Sequence, residues 1–295
     1  MQLETTRSDR VSDSFFIAIV HNNEAERVDR VRTSIMRFSQ HLPLTSCIRE
    51  FSWQAETEPH SALTAFRRDL MCRNAWRRWA QYLGRQNSYW WAAASLARAV
   101  LTTYLSPTAL KKFARRSAVE MQVTSKHLRA MEQFVEWEHQ YLLVVESDVV
   151  LPPFCEKRFV DVVLPLLNTI DSSQEIYLDL AGGLDIDALG IRSLIKTSVT
   201  TTSGVRLDFL KPVTNTACAY LINRALCVKF MKLIVARPKL RILQIDWLIN
   251  ELFMSIGDAV QVACFHFSPP IFCHGSLTGE YVSWQKDELH NRSPT

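Results

Sequence analysis

The chain has 295 residues, of which 47% are hydrophobic and 22% are charged, and its formal net charge is +4. This composition excludes wholesale disorder and indicates one large α/β domain, or one domain that carries an insertion. The polar N-terminus lacks the apolar core of a secretory signal, and the longest apolar stretch, from Trp90 to Leu105, is interrupted by Arg98. We therefore expect a cytoplasmic protein that is soluble or peripheral at a membrane.

The first predicted elements are a strand and a helix. Residues 15–20, FFIAIV, form a continuous apolar run typical of a buried strand in a parallel sheet. Four apolar residues then recur at helical spacing: Val28, Val31, Ile35 and Phe38. The loop between them lies at the carboxyl end of the strand, where doubly wound sheets bind their ligands. A further short strand is predicted within residues 47–53.

Residues 67–116 are strongly basic. They contain eleven basic residues and one acid, Asp69, so this segment carries a net charge of +10 and the rest of the chain −6. Aromatic residues are interleaved with the cations: Trp76, Trp79, Trp90, Trp91 and Tyr104. The pattern predicts a helical insertion at about residues 67–117. It is compatible with binding to an anionic membrane surface, with binding to nucleic acid, which we consider unlikely, or with a solvated face.

An acidic triplet follows the strongest predicted strand. Thr124 or Ser125 can cap a helix that continues to Trp137, and the strand YLLVV, residues 141–145, runs directly into Glu146-Ser147-Asp148. Carboxylates at positions i and i+2 leave a strand on the same side. Such hard oxygen ligands suit Mg²⁺ or Mn²⁺ shared with substrate phosphates, although many acid pairs are only solvated strand ends.

The second half of the chain predicts another strand at residues 176–180, a Ser- and Thr-rich loop at 193–206, and helices at 223–236 and 243–256. Three aspartates flank the Gly182-Gly183 turn and are weaker functional candidates that often only shape a loop: Asp179, Asp185 and Asp187. The chain has seven cysteines and no CxxC pair, which favours reduced buried thiols over a disulfide framework. The spacing of Cys264-x-His266 and Cys273-His274 fits no ordinary zinc module.

Residues 119–151, VEMQVTSKHLRAMEQFVEWEHQYLLVVESDVVL, resemble glycosyltransferase family 25, which includes bacterial lipopolysaccharide and collagen galactosyltransferases. In that family a Ser-His pair opens a helix and the next strand ends in Leu-Glu-Asp-Asp. Lys126-His127 and residues 145–148, VESD, stand at these positions. Further matches are Arg27 and Arg30 in the first loop, NTACAYLI at residues 215–222, and Gln244-Ile245-Asp246.

The resemblance implies a single GT-A-like domain over residues 1–295, a Rossmann-related nucleotide-sugar fold. It implies transfer of a hexose, galactose from a UDP-sugar, to a hydroxyl of a glycan or glycolipid acceptor, with Mn²⁺ or Mg²⁺ and with inversion. Asp148 then binds the metal, and Glu146 binds the metal or the ribose. Arg27 and Arg30 contact the diphosphate or the uracil pocket, unless they form a solvated helix face.

Two further roles depend on the same resemblance. His127 contacts the donor or orders the acidic loop, or is a core histidine. Asp246, in an apolar run that raises its pKa, is the candidate general base, with a helix N-cap as the competing explanation. The chain departs from the family at Ser147, at Lys126 and in its basic segment. The alternative function is therefore a non-catalytic, glycosyltransferase-like protein that binds anionic membrane or glycan surfaces.

Overall fold

The computed structural model describes residues 14–22, 24–42, 46–52, 60–84, 97, 100–137, 139–171, 173–182, 186–187, 190–201, 203–214, 217–256 and 262–279. These residues form a mixed eight-stranded sheet with helices on both faces. The α/β class expected from the sequence is confirmed, and the architecture is compatible with a Rossmann-like fold.

The strands, in chain order, are β1 (Phe15–Val20), β2 (Ser46–Phe51), β3 (Tyr141–Glu146), β4 (Val149–Val150), β5 (Ile176–Asp179), β6 (Ile195–Thr201), β7 (Gly204–Phe209), β8 (Ala219–Asn223), β9 (Ala263–Ser268) and β10 (Cys273–His274). The main sheet has the order β2-β1-β3-β8-β5-β9-β7-β6. Strand β1 is parallel to β2 and β3, whereas β8 is antiparallel to both of its neighbours. Strands β4 and β10 form a separate antiparallel pair.

The helices are α1 (Ala25–Gln40), α2 (Ala62–Tyr82), α3 (Pro107–Glu136), α4 (Cys155–Arg158), α5 (Leu164–Thr169), α6 (Arg224–Ala236), α7 (Ile245–Ile256) and α8 (Gly275–Thr278). Short π-helical turns lie at Val100–Tyr104 and Phe159–Val163, and 3₁₀ turns at Arg192–Leu194 and Pro238–Ile242. Alternate side chains of β1 and β3 point to opposite faces, so the sheet separates two cores. Phe16 packs on the side of α2, α3, α6 and α7, whereas Phe15 packs on the side of α1 and α5.

The apolar runs predicted as buried strands are confirmed, since every residue of β1 is buried and only Glu146 of β3 is partly exposed. The predicted helix start at Thr124 or Ser125 is wrong. The helix α3 begins at Pro107, where the Ser106 hydroxyl accepts a hydrogen bond from the amide of Ala109. Thr124 lies inside α3, and its hydroxyl contacts the carbonyl of Leu243 at 2.7 Å.

The Ser- and Thr-rich segment at 193–206 was predicted as a loop, and this prediction is wrong. It forms most of a hairpin between β6 and β7, at the edge of the sheet. Threonine and valine favour extended strands, and polar side chains are tolerated at an edge where one face is solvated. Thr197 uses its hydroxyl to donate to Asp208 across the hairpin at 2.7 Å.

The basic segment is helical in its described parts, as predicted, but α2 is also part of the core. Trp79 is 2% exposed and contacts Trp247 of α7 edge-to-face. Four of the cations pair with acids inside the domain: Arg68, Arg73, Arg78 and Arg116. Residues 85–96, which include Trp90 and Trp91, lie outside the described residues.

All seven cysteines fall within the described residues and none forms a disulfide, as expected. Burial raises the pKa of several of these thiols above the usual value, including those of Cys155 and Cys227. Across the described part of the chain, no helix combines the length and the apolar character needed to cross a membrane.

Candidate functional site

The acidic triplet lies at the carboxyl end of β3, in the middle of the sheet. The amide of Glu146 donates to the carbonyl of Cys218 at 2.8 Å, and the amide of Ser147 donates to the carbonyl of Val20 at 2.9 Å. These two bonds hold the triplet between β1 and β8. The position agrees with the general rule that α/β sheets bind ligands where their strands end.

Asp148 meets two side chains that come from distant parts of the chain. Its Oδ1 lies 3.4 Å from Sγ of Cys218, and its Oδ2 lies 3.4 Å from Nε2 of His274. The donor atoms of these three residues all lie within 4.8 Å of one another. A carboxylate, a thiol and an imidazole at this separation form a cluster that can hold a metal ion.

The Glu146 carboxyl is not part of this three-residue cluster, which we call the metal cluster. Instead, Oε1 of Glu146 lies 2.9 Å from Nε2 of His127, and Nδ1 of His127 lies 3.1 Å from the Tyr220 hydroxyl. Burial and the nearby Asp148 carboxylate raise the pKa of Glu146. Of the two carboxylates expected to bind the metal, only that of Asp148 belongs to the metal cluster, while Glu146, expected to bind the metal or the ribose, contacts His127.

His127 is fully buried, and burial, with Lys126 beside it, lowers its pKa to about 3, so the ring is neutral. A neutral imidazole has one donor and one acceptor nitrogen. When Glu146 is ionised it can only accept, so Nε2 carries the proton and the Tyr220 hydroxyl donates to Nδ1. These contacts agree both with a histidine that orders the acidic loop and with a core histidine whose two nitrogens are hydrogen-bonded.

Lys126 joins α3 to the loop that follows β1. Its ammonium group donates to the carbonyl of His21 at 2.8 Å and to Oδ1 of Asn22 at 2.6 Å. Burial lowers the pKa of Lys126 to about 7, while the Glu146 carboxylate acts in the opposite direction. The residue that departs from the family pattern thus supports the loop leading into α1.

Asp246 is the second residue of α7 and not its N-cap, because the helix begins at Ile245 and the amide of Leu248 donates to the carbonyl of Gln244. Its carboxylate accepts a hydrogen bond from the amide of Ala217. Burial, and then the nearby Glu146 carboxylate, raise the pKa of Asp246 to about 7. The competing N-cap explanation is therefore wrong, and Asp246 lies within electrostatic range of Glu146.

Asp179, at the end of β5, adds a third acid to this region and is 1% exposed. Burial raises its pKa to about 8, with a contribution from Asp246. It accepts hydrogen bonds from the amide of Gly182 at 3.0 Å and from the hydroxyl of Thr214 at 3.3 Å. These bonds fit the loop-shaping role that the sequence suggested. Asp187 pairs with Arg192, and Asp185 lies outside the described residues.

Arg27 and Arg30 lie in the first two turns of α1, which begins at the sheet edge where the triplet lies. Arg27 contacts Glu24 at 2.8 Å and Arg30 contacts Glu26 at 3.8 Å, and both side chains are partly exposed. These pairs agree with a solvated helix face. They also leave both guanidinium groups near the helix N-terminus, where anions are favoured.

Sequence reasoning missed Cys218 and His274 as partners of Asp148. Cys218 lies in the segment that was matched to the family, and His274 lies in the Cys273-His274 pair that was considered for zinc. Their connection depends on strand pairing: His274 in β10 is the register partner of Val149 in β4, directly after Asp148. The sequence spacing contains no sign of this pairing.

No protein-family model matches this chain, and no curated protein matches it at a significant level.

Proposed function

We propose that the protein is a GT-A-type glycosyltransferase similar to family 25, which transfers a hexose, galactose from a UDP-sugar, to a hydroxyl of a glycan or glycolipid acceptor. One observation supports this proposal: Asp148 and Glu146 at the end of β3 and Asp246 on α7 come from distant parts of the chain, and Glu146 interacts electrostatically with both aspartates. A cation site and a carboxylate base are the two parts that metal-assisted inverting transfer needs.

The donor diphosphate would lie between Asp148 and the start of α1. A divalent cation, expected to be Mn²⁺ or Mg²⁺, would neutralise the charge that develops on the leaving diphosphate. The Asp148 and His274 side chains are 26% and 20% exposed, so a ligand can reach them. Arg27, Arg30 and the positive end of the α1 dipole favour the same anionic group.

Asp246 would act as the general base. Its carboxylate takes the proton of the acceptor hydroxyl as the acceptor oxygen bonds to the anomeric carbon and the bond from that carbon to the diphosphate breaks. Attack on the face opposite the leaving group inverts the configuration. Glu146, held by His127, is in place to accept hydrogen bonds from ribose or sugar hydroxyls.

The first test is donor binding. UDP-galactose with Mn²⁺ should raise the melting temperature, because a ligand at one hundred times its Kd stabilises a fold by about 2.7 kcal/mol. Asp148→Ala should lose this shift and the release of UDP, whereas Asp161→Ala should keep both, since Asp161 pairs with Lys157 outside the site. A screen of nucleotide sugars without any shift or UDP release would contradict the proposal.

A second proposal is that the basic segment binds an anionic membrane surface. This binding would also be the function of a non-catalytic, glycosyltransferase-like protein. Four leucines with largely exposed side chains occur on or beside this segment: Leu63, Leu70, Leu101 and Leu105. Ring contacts of Phe66 and Phe113 with Tyr104, at 5.2 and 5.5 Å, hold the π-turn between α2 and α3. Four exposed cations are nearby in sequence: Arg67, Lys111, Lys112 and Arg115. Exposed leucines with cations are typical of peripheral attachment to an anionic membrane, here at the cytoplasmic surface.

Vesicle sedimentation tests this attachment. The protein should sediment with phosphatidylserine vesicles at low salt and remain in solution with phosphatidylcholine vesicles. A Leu101→Ser, Leu105→Ser double variant should sediment less, whereas Val235→Ser, at an exposed apolar residue on α6, should not. If the leucine double variant and Val235→Ser sedimented equally with phosphatidylserine vesicles, membrane attachment would be refuted. Salt-dependent binding to RNA that is stronger than binding to vesicles would refute it as well.

A further inference from the structure

We propose that Cys218 is a metal ligand and that the metal cluster, Asp148, Cys218 and His274, selects Zn²⁺ over Mg²⁺. The inference concerns the same site as the proposed function, on which it rests, and deepens it by naming the cation and its third ligand. The sequence resemblance pointed only to carboxylate ligands and to Mn²⁺ or Mg²⁺.

The distances suit a tetrahedral ion. With metal–sulfur bonds of about 2.3 Å and metal–oxygen or metal–nitrogen bonds of about 2.0 Å, tetrahedral geometry separates the donor atoms by roughly 3.3–3.6 Å. Sγ of Cys218 lies 3.4 Å from Oδ1 of Asp148, and Nε2 of His274 lies 3.4 Å from Oδ2 of the same carboxylate, so each donor is at a suitable distance from one of its two oxygens. The three donor atoms all lie within 4.8 Å of one another, so an ion that binds all three would draw the side chains slightly closer together.

Backbone hydrogen bonds hold the three ligands before any ion binds. The carbonyl of Cys218 accepts from the amide of Glu146, and the carbonyl of Asp148 accepts from the amide of Gly275 at 2.8 Å. The pairing of β4 with β10 fixes His274 beside the triplet. The ligands therefore come from three rigid segments, and little ordering of the chain is needed on binding.

The chemical nature of the three ligand atoms decides which cation the metal cluster prefers. Mg²⁺ takes oxygen ligands in octahedral geometry and keeps several waters, whereas thiolate and imidazole donors suit Zn²⁺. On binding, the sulfur–metal bond forms and the thiol proton leaves to solvent. Three protein ligands leave a fourth position open, as in catalytic zinc sites, and a diphosphate oxygen or a water can take it.

Cobalt titration tests this directly. After removal of bound metal with a chelator, one equivalent of Co²⁺ should produce the near-ultraviolet thiolate-to-cobalt band and the visible bands of a tetrahedral ion. Cys218→Ser should abolish the thiolate band. Cys227→Ser is the matched control, because Cys227 is also buried but contacts the carbonyl of Met131. Equimolar Zn²⁺ should displace the cobalt, and a large excess of Mg²⁺ should not.

The inference is overturned if Co²⁺ gives no thiolate band, if the band survives in Cys218→Ser, or if Mg²⁺ displaces cobalt as readily as Zn²⁺ does. If Cys218→Ser does not fold, Cys218→Ala is used in its place. A different result would separate the two proposals. If neither protein gave a cobalt band, and Cys218→Ser released UDP with Mn²⁺ as fast as the unmodified protein, the thiolate ligand would be refuted and the proposed transferase would stand. A cobalt band without any nucleotide-sugar binding would support the metal cluster and refute the transferase.

Discussion

Asp246→Asn is expected to lower the rate of sugar transfer by about 10²–10⁴-fold, the usual contribution of a positioned general base. The amide cannot take the proton of the acceptor hydroxyl, yet it keeps the size of the carboxylate and can still accept from the amide of Ala217. The affinity for UDP-galactose, measured by thermal shift, should therefore be unchanged. Asp161→Asn is the matched control, because it makes the same chemical change at an acid outside the site.

The pH dependence of transfer gives an independent check. Burial and Glu146 raise the pKa of Asp246 to about 7, so the base is ionised only as the pH rises through that region. A cation bound at the metal cluster would stabilise ionised carboxylates around it and move the transition to lower pH. The rate should thus rise with pH, with its transition at or below about pH 7. A full rate in Asp246→Asn, with the same pH profile, would exclude Asp246 as the base.

Arg68→Met should lower the free energy of unfolding by about 1.5–3 kcal/mol, because Glu120 loses its buried arginine partner and keeps only Arg116, which is 35% exposed. Arg68 is 3% exposed, and its guanidinium group contacts Glu120 at 2.5 Å and the carbonyl of Ile242 at 2.7 Å. Burial acts to raise the pKa of Glu120. The charges of Arg68 and Arg116 have the larger combined effect and keep this pKa below its usual value.

Urea unfolding at pH 7 measures this loss. The matched control is Arg67→Met at the neighbouring exposed arginine, which should change stability by no more than about 0.5 kcal/mol. The Arg68→Met, Glu120→Met double variant should recover part of the loss, since no buried charge remains unpaired. A change below about 1 kcal/mol in Arg68→Met would show that this ion pair contributes little.

The Arg68 network also connects the basic segment to the proposed base. Arg68 of α2 and Thr124 of α3 bind the carbonyls of Ile242 and Leu243, directly before the helix that carries Asp246. The two helices therefore hold the start of α7 in place. A segment that the sequence marked as an insertion is, in its described part, a support for the site.

The sequence by itself determined the α/β class, the buried strands and the place of the acidic triplet. These features depend on local patterns: continuous apolar runs such as FFIAIV and YLLVV are stable only when both faces of a strand are covered. The position of Glu146 and Asp148 at a strand end follows from their place directly after such a run. The apolar surroundings of Asp246 in the sequence likewise predicted a raised pKa, and desolvation and the Glu146 carboxylate act in that direction in the structure.

Only the tertiary structure decided which side chains meet. Residues 148, 218 and 274 are joined because β8 lies beside β3 and β10 pairs with β4, and such long-range pairings depend on the packing of the whole chain. The same packing turned Glu146 toward His127 and buried Arg68 against Glu120. Local spacing could not predict these contacts, because the free energy that selects them comes from core burial shared among many residues.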